Sequence, residues 1–107
     1  MTTEGQQFLY LTTRGWKTNR PHEIEIWFVG HDGKYYVVSE RGKRSHWVQN
    51  IRSQPSISFR VGARTSKGNG RIVDRRKELE LAGAVSALMD EKYKWSRGLI
   101  VELAPGQ

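Results

Sequence analysis

The chain has 107 residues, no cysteine and a formal net charge of +7, with 36% hydrophobic residues and four Trp. That length suits one folded domain, residues 1–107, around a single modest core. The absence of Cys excludes disulfides, thiolate metal sites and a cysteine nucleophile, and no apolar run approaches the ~20 residues of a membrane span, so a cytoplasmic protein is expected.

Phe8 to Thr13 is rich in strand formers and stops at Arg14-Gly15. From Glu23 to Val29 strict alternation places Ile24, Ile26 and Phe28 on one face, and Glu23, Glu25, Trp27 and Val29 on the other. Asp32-Gly33 signals a hairpin, with Lys34 to Ser39 as the returning strand. Ser45 is placed to cap a short helix whose Trp47, Val48 and Ile51 share a face, and Pro55 follows its end. Ile57, Phe59 and Val61 mark another strand. A hairpin around Lys67-Gly68-Asn69-Gly70 is expected to join a strand near Arg64 to one near Arg71-Ile72-Val73.

Asp74 is placed to cap a helix running to about Tyr93, with Leu81, Ala84, Val85 and Leu88 as its apolar stripe and Asp90 to Lys94 as an i, i+4 pair. Leu99 to Leu103 closes the chain as a strand. Six or seven short strands with one short and one long helix predict a mainly β (α+β) protein, a small and mostly antiparallel barrel. Strand and helix do not alternate, which argues against a doubly wound dinucleotide fold.

The charge is unevenly placed. Residues 1–71 hold 12 Lys/Arg against 5 Asp/Glu, whereas residues 72–107 hold 6 of each. Two cationic loops account for much of the excess: Arg14 to Pro21, and Glu40 to Arg44 ahead of the helix at Ser45. In the first, Arg14, Lys17 and Arg20 recur every three residues, and Thr18 and Asn19 add neutral donors. Gly15 permits positive φ or a close approach of backbone to ligand. In the second, Arg41, Gly42, Lys43 and Arg44 precede a helix N-terminus, whose free N–H groups favour an anion. Lys supplies a point charge and Arg a planar fork, both suited to phosphate oxygens. A plain solvated basic loop would read the same way.

Trp16 sits in a basic loop as surface packing or a ligand wall. Trp47 reads as core beside Val48 and Ile51, and Tyr93 and Trp95 as helix-end packing or cover for a pocket mouth. His22, His31 and His46 show no metal-ligand spacing, so no metal site is expected. Nothing resembles a nucleophile elbow, a triad or a G-x-x-x-x-G-K-[ST] loop, and no catalytic side chain is assigned.

Thr12-Thr13-Arg14-Gly15-Trp16-Lys17-Thr18-Asn19-Arg20-Pro21-His22 resembles the T-T-x-G-R-K-T-G-x-P-R loop of the deazaflavin-dependent nitroreductases. His46 to Pro55 is similar to that family's W-x-x-N-L-R-x-x-P helix, and Ser56 to Gly62 to the strand after it. The likeness runs from about Leu9 to Pro105. It implies a split antiparallel barrel related to pyridoxamine-phosphate oxidases and other FMN-binding barrels.

The implied cofactor is coenzyme F-420, an 8-hydroxy-5-deazaflavin with a phosphate and an oligoglutamate tail, with FMN as the alternative. By the same resemblance Lys17, Thr18 and Arg20 meet the phosphate. Val38, Ser39, Arg41 and Gly42 run along the ring and its side chain, Arg44 adds charge, and Ile24 and Ile26 back the ring. Trp27, Trp47, Tyr93 and Trp95 are candidate acceptor-binding side chains. Trp16 replaces the loop arginine, Asn19 the glycine and His22 the second arginine, and Glu25 stands where many members have proline. The helix begins His46-Trp47 rather than Pro-x-Trp-Tyr, and the C-terminal tail lacks the tyrosines common at the substrate site.

Transfer of a hydride to a quinone, enone or nitroaromatic is the leading expectation. An FMN-binding barrel and a non-catalytic flavin or fatty-acid binder are the alternatives. Charge confined to two loops counts against nucleic-acid binding. The resemblance also makes a homodimer an expectation, since many split barrels dimerise over their cofactor sites.

Overall fold

A computed structural model describes residues 6–106. Six strands close an all-antiparallel barrel: β1 (Phe8–Arg14), β2 (Pro21–His31), β3 (Lys34–Ser39), β4 (Ser56–Val61), β5 (Arg64–Ile72) and β6 (Leu99–Pro105). Their order around the barrel is β1-β2-β3-β6-β5-β4, with β4 pairing back to β1. Helix α1 (His46–Ser53) follows a 3-10 turn at Gly42–Arg44, and helix α2 (Leu79–Tyr93) lies between β5 and β6.

Alternation in the strands decides which side chains fill the barrel. Leu9, Leu11, Ile57, Phe59 and Val61 alternate with more exposed neighbours along β1 and β4, and all five are buried. They meet Phe28, Val37, Val101 and Leu103 inside, and Val48 and Ile51 of α1 join the same core. The opposite faces of β2, β3 and β6 supply Val29, Tyr36, Val38 and Ile100 to a second core under α2. Helix α1 therefore belongs to the interior core, while α2 packs on the outside. The expected strand faces of β2 are observed, with Phe28 in the interior core and Val29 in the outer one.

Five local expectations are corrected. No hairpin occurs at Lys67-Gly68-Asn69-Gly70, because β5 runs unbroken from Arg64 to Ile72 and the tight turn is at Gly62-Ala63. Those glycines serve close approach instead. A Cβ on Gly68 would lie 1.9 Å from the Ala104 carbonyl oxygen of β6, and one on Gly70 would lie 3.1 Å from the Ile51 side chain of α1. Asp74 organises a turn rather than the helix start. Its Oδ1 accepts from the N–H groups of Arg76 (2.9 Å) and Lys77 (3.3 Å), and α2 begins only at Leu79.

The third correction is the α2 stripe. Ala82, Val85 and Met89 are the buried residues, because that row of the helix faces the outer core and Leu81 and Leu88 lie to its side. Lys94 is the left-handed C-cap (φ 58°), past the last helical turn, so Asp90 and Lys94 are not an i, i+4 pair within the helix. The fifth is Ser45. It stands at the N-cap of α1 but makes no side-chain cap, its hydroxyl being engaged by Ser39 at 2.6 Å.

An ionic network pins the segment leading into α2. Arg71 forks onto Glu78 (2.7 and 2.9 Å) and also donates to the buried Glu102 (3.1 Å), which accepts from the Tyr36 hydroxyl (2.9 Å). The Arg71 guanidinium, helped by the Asp74 N–H, pulls the Glu78 carboxyl from its ordinary 4.5 down to about 2. A carboxyl whose folded value lies below its unfolded one stabilises the fold above the unfolded value, and that stability is lost as pH falls through the folded one. Acid unfolding is thus expected to draw on Glu78 between about pH 4.5 and 2. Glu78→Gln should flatten the stability-versus-pH curve in that window, as read by denaturant titrations at a series of pH values. An unchanged curve would remove Glu78 from the acid response.

Candidate functional site

The two cationic loops meet at one end of the barrel. The β1–β2 loop closes through Gly15 N–H to the Arg20 carbonyl and Asn19 N–H to the Gly15 carbonyl, both 2.8 Å. Asn19 carries the left-handed conformation (φ 59°), a region that Asn tolerates better than most residues. Gly15 does not take positive φ, and a Cβ there would lie 2.9 Å from Thr18 Oγ1 and 3.2 Å from His22 Nε2, so those two side chains would have to shift. Arg14 donates to the Asn19 carbonyl (3.1 Å), and Gln54 donates to the Asn19 side chain (2.8 Å).

Asn50, a residue that the reading of the loops left without a role, locks this loop to α1. Its Oδ1 accepts from the Trp16 N–H and its Nδ2 donates to Thr13 Oγ1, each at 3.0 Å. Both Asn50 and Thr13 are buried. A buried polar side chain inside a short amphipathic helix was the available signal, since such a group is kept only when it is bonded.

The second loop is tied just as locally. Ser39 Oγ donates its one proton to the Gly42 carbonyl (3.0 Å), so the 2.6 Å contact with Ser45 has Ser45 as donor. Gly42 takes positive φ (59°) to make the bend. With Ser45 occupied, the first N–H groups of α1 have no side-chain cap and remain available to an anion.

Between the loops lies a chamber of about 700 Å³ whose wall includes Thr13, Lys17, Thr18, Ile24, Arg41, Arg44 and Trp47. His22, Glu23, Ser45, His46 and Asn50 complete much of it. A second chamber of about 540 Å³ continues along β2 and is walled by Phe8, Glu25, Ile26, Trp27, Val38, Ser39, Glu40 and Trp95. Arg41, Ser45 and Trp47 border both. Trp47 is thus a wall residue as well as a partner of the interior core.

Most residues singled out from the sequence are brought together. Lys17, Thr18, Ile24, Arg41, Arg44 and Trp47 line the first chamber, and Ile26, Trp27, Val38, Ser39 and Trp95 the second. Arg20, Gly42 and Tyr93 are on neither wall. Gly42 shapes its loop through the Ser39 bond, and Tyr93 sits behind Trp27 with the rings stacked 4.5 Å apart and 7° from parallel. The Tyr93 hydroxyl is spent on backbone. It accepts from the Phe28 N–H (3.0 Å) and faces the carbonyls of Gln7 (2.8 Å) and Phe28 (2.9 Å). Trp16 is half exposed, and the Lys17 ammonium lies 4.7 Å from its ring centroid.

Glu25 accepts from the Tyr10 hydroxyl at 2.8 Å, a bond that raises the phenol's pKa and keeps it a donor. Among the described residues no His/Cys/Asp/Glu group could hold a metal ion, and no helix is long and apolar enough to cross a membrane.

Residues 1–100 match the family described as F-420H(2)-dependent quinone reductase. The chain belongs to that family. Coenzyme F-420 is accordingly the cofactor of this family member, with FMN secondary, and the chain is an F-420-dependent reductase.

Solved structures agree on the split barrel. The heme storage protein HutZ from Vibrio cholerae superposes with a TM-score of 0.76 at 20% identity, over 98% of this chain and 85% of that one. A putative pyridoxamine 5'-phosphate oxidase from Listeria innocua gives 0.76 at 15% identity, over 98% and 88%. An F-420-H2 dependent reductase gives 0.61 at 23% identity, over 90% and 91%. At these identities the likeness is one of fold. No curated protein matches the chain in sequence.

Proposed function

We propose that this reductase holds coenzyme F-420 in the first chamber and receives a small electron-poor acceptor, a quinone, enone or nitroaromatic, in the second. The observation that carries this reading is the pair of neighbouring chambers, one cationic and one aromatic, whose walls share Arg41, Ser45 and Trp47. When bound, reduced coenzyme F-420 supplies a hydride, and the acceptor is reduced by that hydride plus one proton while the deazaflavin is left oxidised.

The residues present fit the group. Lys17, Arg41 and Arg44 offer charge to a phosphate, and the uncapped start of α1 opens beside them. Thr18 adds a hydroxyl, although its Oγ1 already accepts from the Arg20 N–H at 3.3 Å. Ile24 offers a flat ring an apolar strand surface in the first chamber, and Ile26 and Val38 carry that surface on into the second, where the ring's edge would meet the acceptor. Trp47 stands on the wall that both chambers share, where its ring would shield the reacting atoms from water. Phe8, Trp27 and Trp95 replace the missing C-terminal tyrosines as aromatic walls for the acceptor.

Titration of the protein with coenzyme F-420, read by quenching of its fluorescence, should show saturable binding that weakens as salt rises. Lys17→Ala should weaken it about tenfold to a hundredfold, the range for losing a charge-assisted contact to phosphate. The substitution sits in an exposed loop and should leave the thermal midpoint in place. An unchanged affinity would move the phosphate away from Lys17, and no binding of the coenzyme at all would overturn the functional reading.

A further inference from the structure

The net charge of +7 suggests a protein that collects anions of every kind. The second chamber departs from that rule. Among the described residues its wall carries two carboxylates, Glu25 and Glu40, and one cation, Arg41, which is shared with the first chamber. Neither Glu25 nor Glu40 forms an ion pair among the described residues. The Tyr10 hydroxyl fixes Glu25 in place, and the Arg60 guanidinium stacks 4.3 Å over the Tyr10 ring without forming an ion pair with the carboxylate.

Beside these carboxylates the aromatic wall is set in advance. Trp27 is clamped by the parallel Tyr93 ring on one side and meets Trp95 edge-on, with centroids 6.0 Å apart and planes at 71°. Indole faces carry the most negative potential of the natural aromatic side chains and attract cations, the more so out of water. A hollow of about 540 Å³ lined by Phe8, Trp27, Trp47 and Trp95 takes a small flat ring system.

From this juxtaposition we infer that the second chamber selects acceptors that are aromatic and positively charged, and discriminates against those bearing a carboxylate or sulfonate. The inference rests on the assignment of that chamber to the acceptor. Two fields compete for a charged reactant. The excess of Lys and Arg acts at long range, but at physiological ionic strength exposed charges are screened beyond about 8 Å. Glu25 and Glu40 act at contact, where screening is least. The local carboxylates therefore decide what stays in the chamber, and the global charge decides only what approaches.

The test uses three naphthoquinones with one ring system: neutral, trimethylammonium-substituted and sulfonated. With coenzyme F-420 saturating, kcat/KM for the cation should exceed that for the sulfonate by about tenfold, the scale of one or two exposed charge contacts reinforced by cation–π attraction. The double change Glu25→Gln and Glu40→Gln should bring the ratio close to one. Equal rates for cation and sulfonate, or a preference that survives the double change, would overturn the inference while leaving the functional reading intact.

A second arm needs no turnover. Benzyltrimethylammonium titrated into cofactor-free protein should shift the indole N–H resonances of Trp27 and Trp95 and leave that of Trp16 in place, whereas benzenesulfonate should not shift the first pair. Shifts confined to Trp16, or the same shifts with benzenesulfonate, would refute cation selection. Failure of the coenzyme to bind, with the cation shifts present, would refute the functional reading alone.

Discussion

Replacing Asn50 by Ala should cost about 3 kcal/mol of folding stability and weaken coenzyme binding at least tenfold, on the order of one lost hydrogen bond for each buried partner. Asn50 is only 4% exposed and its amide bridges two elements, accepting from the Trp16 N–H and donating to the Thr13 hydroxyl. Alanine removes both bonds at once and leaves the part-buried Trp16 N–H and the buried Thr13 hydroxyl without their partner. Water entering from the adjoining chamber offsets part of that loss, because Thr13, Trp16 and Asn50 all border it.

The effect on binding follows from position. Lys17 and Thr18 come directly after Trp16, so freeing the Trp16 N–H frees the residues that face the phosphate. Urea titrations would give the stability change and coenzyme fluorescence titrations the affinity. Asn50→Asp separates the two roles, since it keeps the acceptor for Trp16, loses the donor to Thr13 and buries a charge. Normal affinity in a folded Asn50→Ala protein would show that the loop holds its shape without α1.

Gly68→Val is expected to be worse, at about 4 kcal/mol or more, the range reserved for substitutions that force backbone apart. A Cβ at this position would lie 1.9 Å from the Ala104 carbonyl oxygen and 3.0 Å from the Gly106 nitrogen. Those are backbone atoms of the β5–β6 seam, where Gly68 faces Pro105, and they cannot rotate aside. The seam must open for the side chain to fit, and barrel closure goes with it. Gly70→Ala should be milder, because its 3.1 Å neighbours belong to the Ile51 side chain, which can shift by a few tenths of an ångström. Thermal unfolding of the three proteins should rank them wild type, Gly70→Ala, Gly68→Val. A Gly68→Val protein as stable as wild type would mean that the seam is looser than described.

Patterns with a short period were the most legible in the sequence. Alternation in β2 and β4 located those strands and their faces, because period-two burial is a local property of an extended chain. The Asp32-Gly33 turn was readable for the same reason, with both residues at positive φ in the structure. Gly68-Asn69-Gly70 misled because glycine has two uses, bending the chain and letting another segment come close. Only the partner strand β6, more than thirty residues away, tells them apart.

The start of α2 was displaced for a similar reason. Asp74 has the chemistry of a cap, but the bidentate pull of Arg71 on Glu78 sets where the helix begins. In the candidate site the cationic loops were plain from charge and spacing. Their joining into one wall with Trp47 was not, because it depends on Ser45 bonding to Ser39 instead of to its own helix. Asn19 was counted as a departure from the family's glycine. The positive φ it adopts explains why glycine and asparagine are interchangeable at that turn.

The residues common to both chambers constrain how such a protein diversifies over generations. A change at Arg41, Ser45 or Trp47 alters both hollows together, whereas Phe8, Glu25 and Trp95 border only the farther one. With the coenzyme assigned to the nearer hollow, descendants can explore new reactants through the far rim while inheriting an intact means of reducing them.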